Sequence, residues 1–173
     1  HQSGVTALEL LVTMSIIAVL LATGIPAIKN YNWNLRLRSA MDLLRSDLTL
    51  ARGRAIGDNT QTVICPANNP QDCSGSSSWQ NGWIVFTDIN GDRSRQAAEP
   101  LLKRSGAIEF LNLTSSRSRR SLRFYPNGSA PGTNTSIVFC DTRGAVYAGK
   151  IIVSNSGRIR QVTGGIPPTE NCP

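Results

Sequence analysis

The sequence has a single histidine, His1, and none of its four cysteines forms a C-x-x-C pair. This poverty excludes the common zinc frameworks, which need several sulfur or imidazole ligands at short spacings. It also removes histidine-based general acid–base chemistry. With no phosphate loop and no nucleophile elbow, nothing assembles a catalytic constellation, so the chain is read as a non-enzyme that needs no cofactor. Charge is missing from one long stretch: the nineteen residues from Leu10 to Ile28 contain no ionisable side chain. Neither Lys nor Arg precedes that run, which argues against a conventional cleaved signal peptide with its basic n-region.

What is present suits one globular domain beside this unusual N-terminus, since 173 residues bury one ordinary core. The net charge of +7 is lopsided: residues 1–99 hold eight Lys/Arg against eight Asp/Glu, whereas residues 100–173 hold ten against three. A basic C-terminal part suits an anionic partner such as nucleic acid or a lipid surface, and also serves solubility. Cys65, Cys73, Cys140 and Cys172 are even in number, as in a disulfide framework of an oxidising compartment. Of the three possible connectivities we favour Cys65–Cys73, closing a local loop, with Cys140–Cys172 pinning the tail.

The Leu10–Ile28 run would form a helix of roughly 28 Å, about the hydrocarbon thickness of a bilayer, so it predicts one membrane span. Glu9 stands at its head. An ionised carboxylate costs roughly 2.5–3.5 kcal/mol near a bilayer centre. It therefore either lies at the interface, where a helix N-terminus favours negative charge, or neutralises a cation on a neighbouring chain. Further on, Leu37, Met41, Leu44, Leu48, Ala51 and Ala55 recur at three- and four-residue steps, a stripe that must cover a core, while Arg36, Asp42, Ser46 and Thr49 fall on other faces. Gly57-Asp58-Asn59 is the expected stop, giving one long helix from Val5 to Ile56.

The stretch Gly4-Val5-Thr6-Ala7-Leu8-Glu9-Leu10-Leu11 resembles the type III signal of type IV pilins. That resemblance implies cleavage between Gly4 and Val5 by a prepilin peptidase, N-methylation of Val5, and pairing of Glu9 with the terminal amine of an adjacent subunit during assembly. It also puts Pro26 where pilins commonly carry a helix-bending proline; a proline removes one backbone donor and kinks the helix. Val5 replaces the usual Phe, and His1–Gly4 is read as the remnant of a leader whose full form should carry Lys or Arg. Lys29, Arg36 and Arg38 on the proposed outer side run against the positive-inside tendency, so topology rests on the motif.

From Thr60 onward the pattern becomes strand-like. Expected strands are Thr62–Cys65, Trp83–Thr87, Ala107–Leu111, Leu122–Tyr125, Ser136–Cys140, Lys150–Val153 and Ile159–Val162, forming an antiparallel sheet packed on the helix. Trp83, Ile84, Phe86, Phe124 and Phe139 are candidate core residues. The expected fold is thus α+β, a type IV pilin fold: leader remnant 1–4, transmembrane and assembly helix 5–28, amphipathic helix 29–57 and β-rich head 58–173. The segments Gly82-Trp83-Ile84-Val85-Phe86-Thr87-Asp88, Phe124-Tyr125-Pro126-Asn127-Gly128 and Gly157-Arg158-Ile159-Arg160 resemble those of the GspH/FimT group of minor pilins and pseudopilins. This implies an inner-membrane protein with a periplasmic head, whose partners are other pilins or pseudopilins.

On a strand, Arg158 and Arg160 share one face while Ile159 points inward, so two guanidinium forks stand side by side. Such forks bind phosphate without reading sequence; alternatively they protect a solvated strand edge. In FimT-type pilins serving natural transformation a G-R-x-R motif contacts incoming DNA, and the resemblance implies the same partner here. Arg117, Arg119, Arg120 and Arg123 form a second basic cluster, and Arg143 and Lys150 would join the first if the last strands pair. Other members of the group imply two rival roles: a structural minor pilin that helps start assembly at a pilus tip, and a type II secretion pseudopilin. Asp88, Asn90, Asp92 and Glu99 imitate the spacing of an EF-hand loop, but Arg93 stands where its glycine belongs. Asn90-Gly91 more simply marks a hairpin turn, and no metal is assigned.

Overall fold

The computed structural model describes residue 4, residues 6–69, 71–116 and 118–166, and residue 172. The chain divides into two compact units, one ending at Arg36 and one beginning at Leu37. The helix α1 (Ala7–Gly57) contributes to both. In the first unit the large apolar side chains from Leu8 to Ile28 are exposed. That part of the helix is long and apolar enough to cross a membrane, with a mean hydropathy of 2.3 over its most apolar window.

The second unit is α+β. Its strands are β1 (Thr62–Pro66), β2 (Trp83–Thr87), β3 (Leu101–Ser105), β4 (Asn112–Ser115), β5 (Leu122–Phe124), β6 (Thr135–Cys140), β7 (Gly149–Val153) and β8 (Ile159–Val162). They form two four-stranded antiparallel sheets, ordered β3-β2-β1-β5 and β4-β6-β7-β8. Leu37, Met41, Leu44, Leu48, Ala51 and Ala55 of α1 are all buried, in one cluster with Ile64, Trp83, Val85 and Phe124 of the first sheet and Leu113, Ile137, Phe139 and Ile151 of the second. Each such leucine contributes about 2 kcal/mol by leaving water, and α1 supplies the face that both sheets share. Asn59, at φ 50°, ends the helix beside Gly57 as the sequence suggests.

Two expectations need correction. The head contains two sheets rather than one, and the chain alternates between them: β3 and β5 lie in the first, β4 and β6 in the second. Hydrophobic alternation reveals that a segment is a strand but not which neighbour it joins. Ala107–Leu111 is not a strand. The chain passes between the sheets there, with the Ile108 amide bonded to the Gln80 carbonyl at 2.8 Å and Phe110 turned to φ 65°. The flanking β3 was missed because its Leu-Leu-Lys-Arg-Ser is largely exposed along a sheet edge and lacks a buried apolar row.

Both sheets also bury part of their outer faces. Val63, Cys65, Ala67, Ile84 and Phe86 cluster beneath Cys73 on the first, and Val138, Cys140, Ala148 and Ile166 beneath Cys172 on the second. The cysteines are joined Cys65–Cys73 and Cys140–Cys172, so each bridge fastens a cover over one sheet.

Candidate functional site

Two regions carry the chemistry, and the first is the start of α1. The Thr6 amide donates to Glu9 Oε2 at 2.9 Å, and the Glu9 amide donates back to Thr6 Oγ1 at 3.3 Å. This reciprocal pair satisfies donors that a helix N-terminus leaves orphaned. Thr13, Ser15 and Thr23 donate their hydroxyls to the carbonyls of Leu10, Leu11 and Val19 of the same helix, so these side chains present no unmet donor to an apolar surrounding. Glu9 is the one carboxylate among the described residues of this unit. Gly4 is exposed. Val5 lies outside the described residues, while α1 runs through Pro26.

The second region is the β8 edge of the second sheet. Gly157, at φ 74°, makes the turn into β8, and a Cβ there would run into the Gly128 carbonyl oxygen. The Gly157 amide donates to the Ser154 carbonyl at 2.8 Å, and the Ser154 amide donates to the Arg158 carbonyl at 3.0 Å. Beyond this turn Arg158 and Arg160 are exposed while Ile159 packs against the core. Arg160 lies opposite Ile152, and Lys150 lies opposite Val162. Lys150 and Arg160 therefore share a face as diagonal neighbours, with Cα atoms about 7–8 Å apart.

The other arginines are placed differently. Arg143 does not join this edge: its guanidinium forks onto Asp141, the closest contact being 2.7 Å, and stacks on Tyr147 at 4.4 Å. Its side chain is only 11% exposed, so its charge is spent within the protein. Arg123 donates from Nη1 to Gln61 Oε1 at 3.0 Å and to the Gly91 carbonyl at 2.9 Å, and lies over Tyr125. Arg119 is half-buried, its carbonyl accepting from Ser115 Oγ at 2.6 Å, while Arg120 is exposed. Their loop follows β4, at the opposite edge of the second sheet from β8, and leads into β5 of the first sheet. Arg117 lies outside the described residues.

The acidic loop between β2 and β3 is occupied by its own backbone. Asp88 accepts the amides of Gly91 and Arg93, and Glu99 those of Ile89 and Gln96. The Ser94 amide holds the Asp92 carboxyl below the usual aspartate range, against the opposing effect of desolvation and with lesser help from Gln96 and Asn90. These oxygens shape a loop that joins two paired strands.

Sequence reading missed two residues on α1. Asp47, 3% exposed, accepts the Trp83 indole N–H at 2.8 Å and the Ser105 hydroxyl, tying α1 to β2 and β3. Its signal was an acid three residues after Leu44 on the apolar stripe. Arg52 donates from Nε to the Gly128 carbonyl at 2.9 Å and lies directly beneath Gly157. Nothing in the sequence marks it apart from the other helix arginines.

The family model described as "Type II transport protein GspH" matches residues 40–157. No curated protein matches the chain. Among solved structures, the type IV minor pilin FimU of Pseudomonas aeruginosa superposes with a TM-score of 0.61 at 19% identity, covering 81% of this chain and 95% of FimU. The minor pseudopilin EpsH of the Vibrio cholerae type 2 secretion system gives 0.54 at 10% identity, covering 76% of this chain and 99% of EpsH. Both show the fold, a long N-terminal helix on antiparallel sheets.

Proposed function

Because the chain belongs to the GspH family of type II transport proteins, we propose that it is a pilin-like filament subunit, cleaved between Gly4 and Val5, methylated on Val5 and assembled through residues 5–28. The observation that carries this reading is the exposed apolar part of α1, whose Thr13, Ser15 and Thr23 hydroxyls are satisfied within the helix and at whose start stands Glu9, the one carboxylate among the described residues of the first unit. Its partners are then prepilin peptidase, the inner membrane and other pilins or pseudopilins, with Pro26 bending the helix and the head in the periplasm. Glu9→Ala is expected to lower incorporation into filaments more than tenfold while membrane insertion of the precursor is unchanged. Immunoblotting of sheared filaments against the membrane fraction measures both. Normal incorporation of the variant overturns the assembly role.

We further infer that the head binds DNA non-specifically for uptake. In support, Arg160 on the edge strand β8 and Arg158 immediately before it are both exposed, and neither has an ion-pair partner among the described residues. Lys150 stands on the same face as Arg160. Guanidinium forks of this kind suit phosphodiester oxygens. Anisotropy titration of a duplex with the full chain in neutral detergent is expected to show affinity falling steeply with salt through counterion release. Arg158→Ala/Arg160→Ala should weaken binding at least tenfold and make the salt slope shallower by about 2. Binding no stronger than that of an unrelated protein of equal charge returns the head to its rival roles, a structural tip pilin or a secretion pseudopilin.

A further inference from the structure

Three segments distant in the sequence meet at one point: Arg52 on α1, the turn Tyr125–Ser129 and the turn leading into β8. Arg52 donates through Nε to the Gly128 carbonyl at 2.9 Å. That nitrogen lies 3.2 Å from the position a Cβ on Gly157 would take and 3.2 Å from the one on Gly128. Both glycines have positive φ, 74° and 75°. The missing side chains leave the space that the guanidinium occupies beside the two turns. Arg52 is half-buried and forms no salt bridge among the described residues.

A guanidinium has five N–H donors, and the tether to Gly128 uses Nε. No hydrogen bond from Nη1 or Nη2 of Arg52 is formed among the described residues. A positive group is therefore fixed in place, its reach set by the tether, with its outer donors unused. Arg158 follows Gly157 directly, so its Cα lies within about 9 Å of the Arg52 Nε by chain geometry. With the Arg52 guanidinium held that close to the base of Arg158, both can reach one phosphate or two neighbouring ones.

We propose that Arg52 is a third phosphate-contacting residue, which with Arg158 forms a cradle for a nucleic-acid phosphodiester over the Gly128–Gly157 junction. The inference rests on the DNA-binding reading above. It assigns α1 a part in that binding and makes the two turn glycines the device that positions a guanidinium rather than turn formers alone. A phosphate group held here loses less conformational freedom from the protein than one held by Arg158 and Arg160 alone, because the Nε bond has already ordered Arg52.

The test compares wild type, Arg52→Gln and Arg52→Lys, each as the full chain in neutral detergent, by anisotropy with a fluorescent duplex between 50 and 200 mM salt. Loss of one phosphate contact makes the slope of log affinity against log salt shallower by about 0.9. Arg52→Gln is expected to show that change with about tenfold weaker binding at the lowest salt. Arg52→Lys keeps the charge but not the fork, so it should keep the wild-type slope with intermediate affinity. A thermal melt is run on each variant; if Arg52→Gln does not fold, the decision passes to Arg52→Lys together with Gly128→Ala, which displaces the guanidinium while leaving its charge. An unchanged slope and affinity in a folded variant overturns the role of Arg52 while the double-arginine result stands. Absence of wild-type DNA binding overturns the parent reading instead. Arg52-dependent binding to phosphatidylglycerol micelles, with none to the duplex, would reassign the cradle to a lipid surface and overturn the nucleic-acid assignment.

Discussion

Gly157→Ala should lower the melting temperature of the head by roughly 6–12 °C, about 3 kcal/mol at the few degrees per kcal/mol usual for this size. Two costs combine. At φ 74° an alanine pays about 1–2 kcal/mol for left-handed backbone, and its Cβ must also displace the Gly128 carbonyl that accepts from Arg52. Gly132→Ala separates the two terms. Gly132 has nearly the same φ, 71°, but a Cβ there meets nothing within 4 Å, so it should cost only the backbone part. Thermal melts of the two variants followed by near-ultraviolet circular dichroism make the comparison; equal melting temperatures would show that the close approach at Gly157 carries no energy. Because the turn also launches Arg158 and Arg160, the alanine variant should lose duplex affinity at temperatures where it remains folded.

Asp47→Leu should destabilise the head by about 3 kcal/mol even though it places an apolar side chain on an apolar stripe. The Trp83 indole N–H and the Ser105 hydroxyl both donate to this carboxylate in the buried interior. Removing the acceptor strands two donors, at about 1–3 kcal/mol for each one left unsatisfied. Asp47→Asn keeps an oxygen at the same place and should cost no more than about 1 kcal/mol. Urea unfolding followed by tryptophan fluorescence resolves the two, since Trp83 reports from the site itself. A leucine variant as stable as wild type would mean that relaxation or water satisfies both donors.

The arrangement that yields these effects was partly legible in the sequence. The α1 stripe was plain because burial on one helix face leaves a three-and-four spacing, and all six of its residues are buried. Trp83–Thr87 and Ile159–Val162 were read at their observed bounds because Gly82 and Gly157 punctuate them. Partner choice was not legible. Ile84 and Phe86 are buried, as expected of core residues, but they face away from α1 into the smaller cluster under Cys73; β2 is buried on both faces, so its apolar run carries no alternation to tell which side each residue takes. Trp79, fully buried with its indole bonded to Ser115 Oγ at 3.1 Å, was overlooked among the serines that surround it. Among the basic residues, composition put Arg143 and Arg123 on the same footing as Arg158. Only three-dimensional neighbours reveal that Asp141 neutralises one and that Gln61 and Gly91 hold the other.

Neither cystine stitches the two sheets to each other; Cys65–Cys73 and Cys140–Cys172 each act on a separate outer surface. A thiol reductant would accordingly undress the head rather than dismantle it, baring greasy patches on opposite flanks while the helix-centred interior persists. A chain kept from oxidation would be sticky before it was unfolded, and its characteristic failure would be clumping rather than melting.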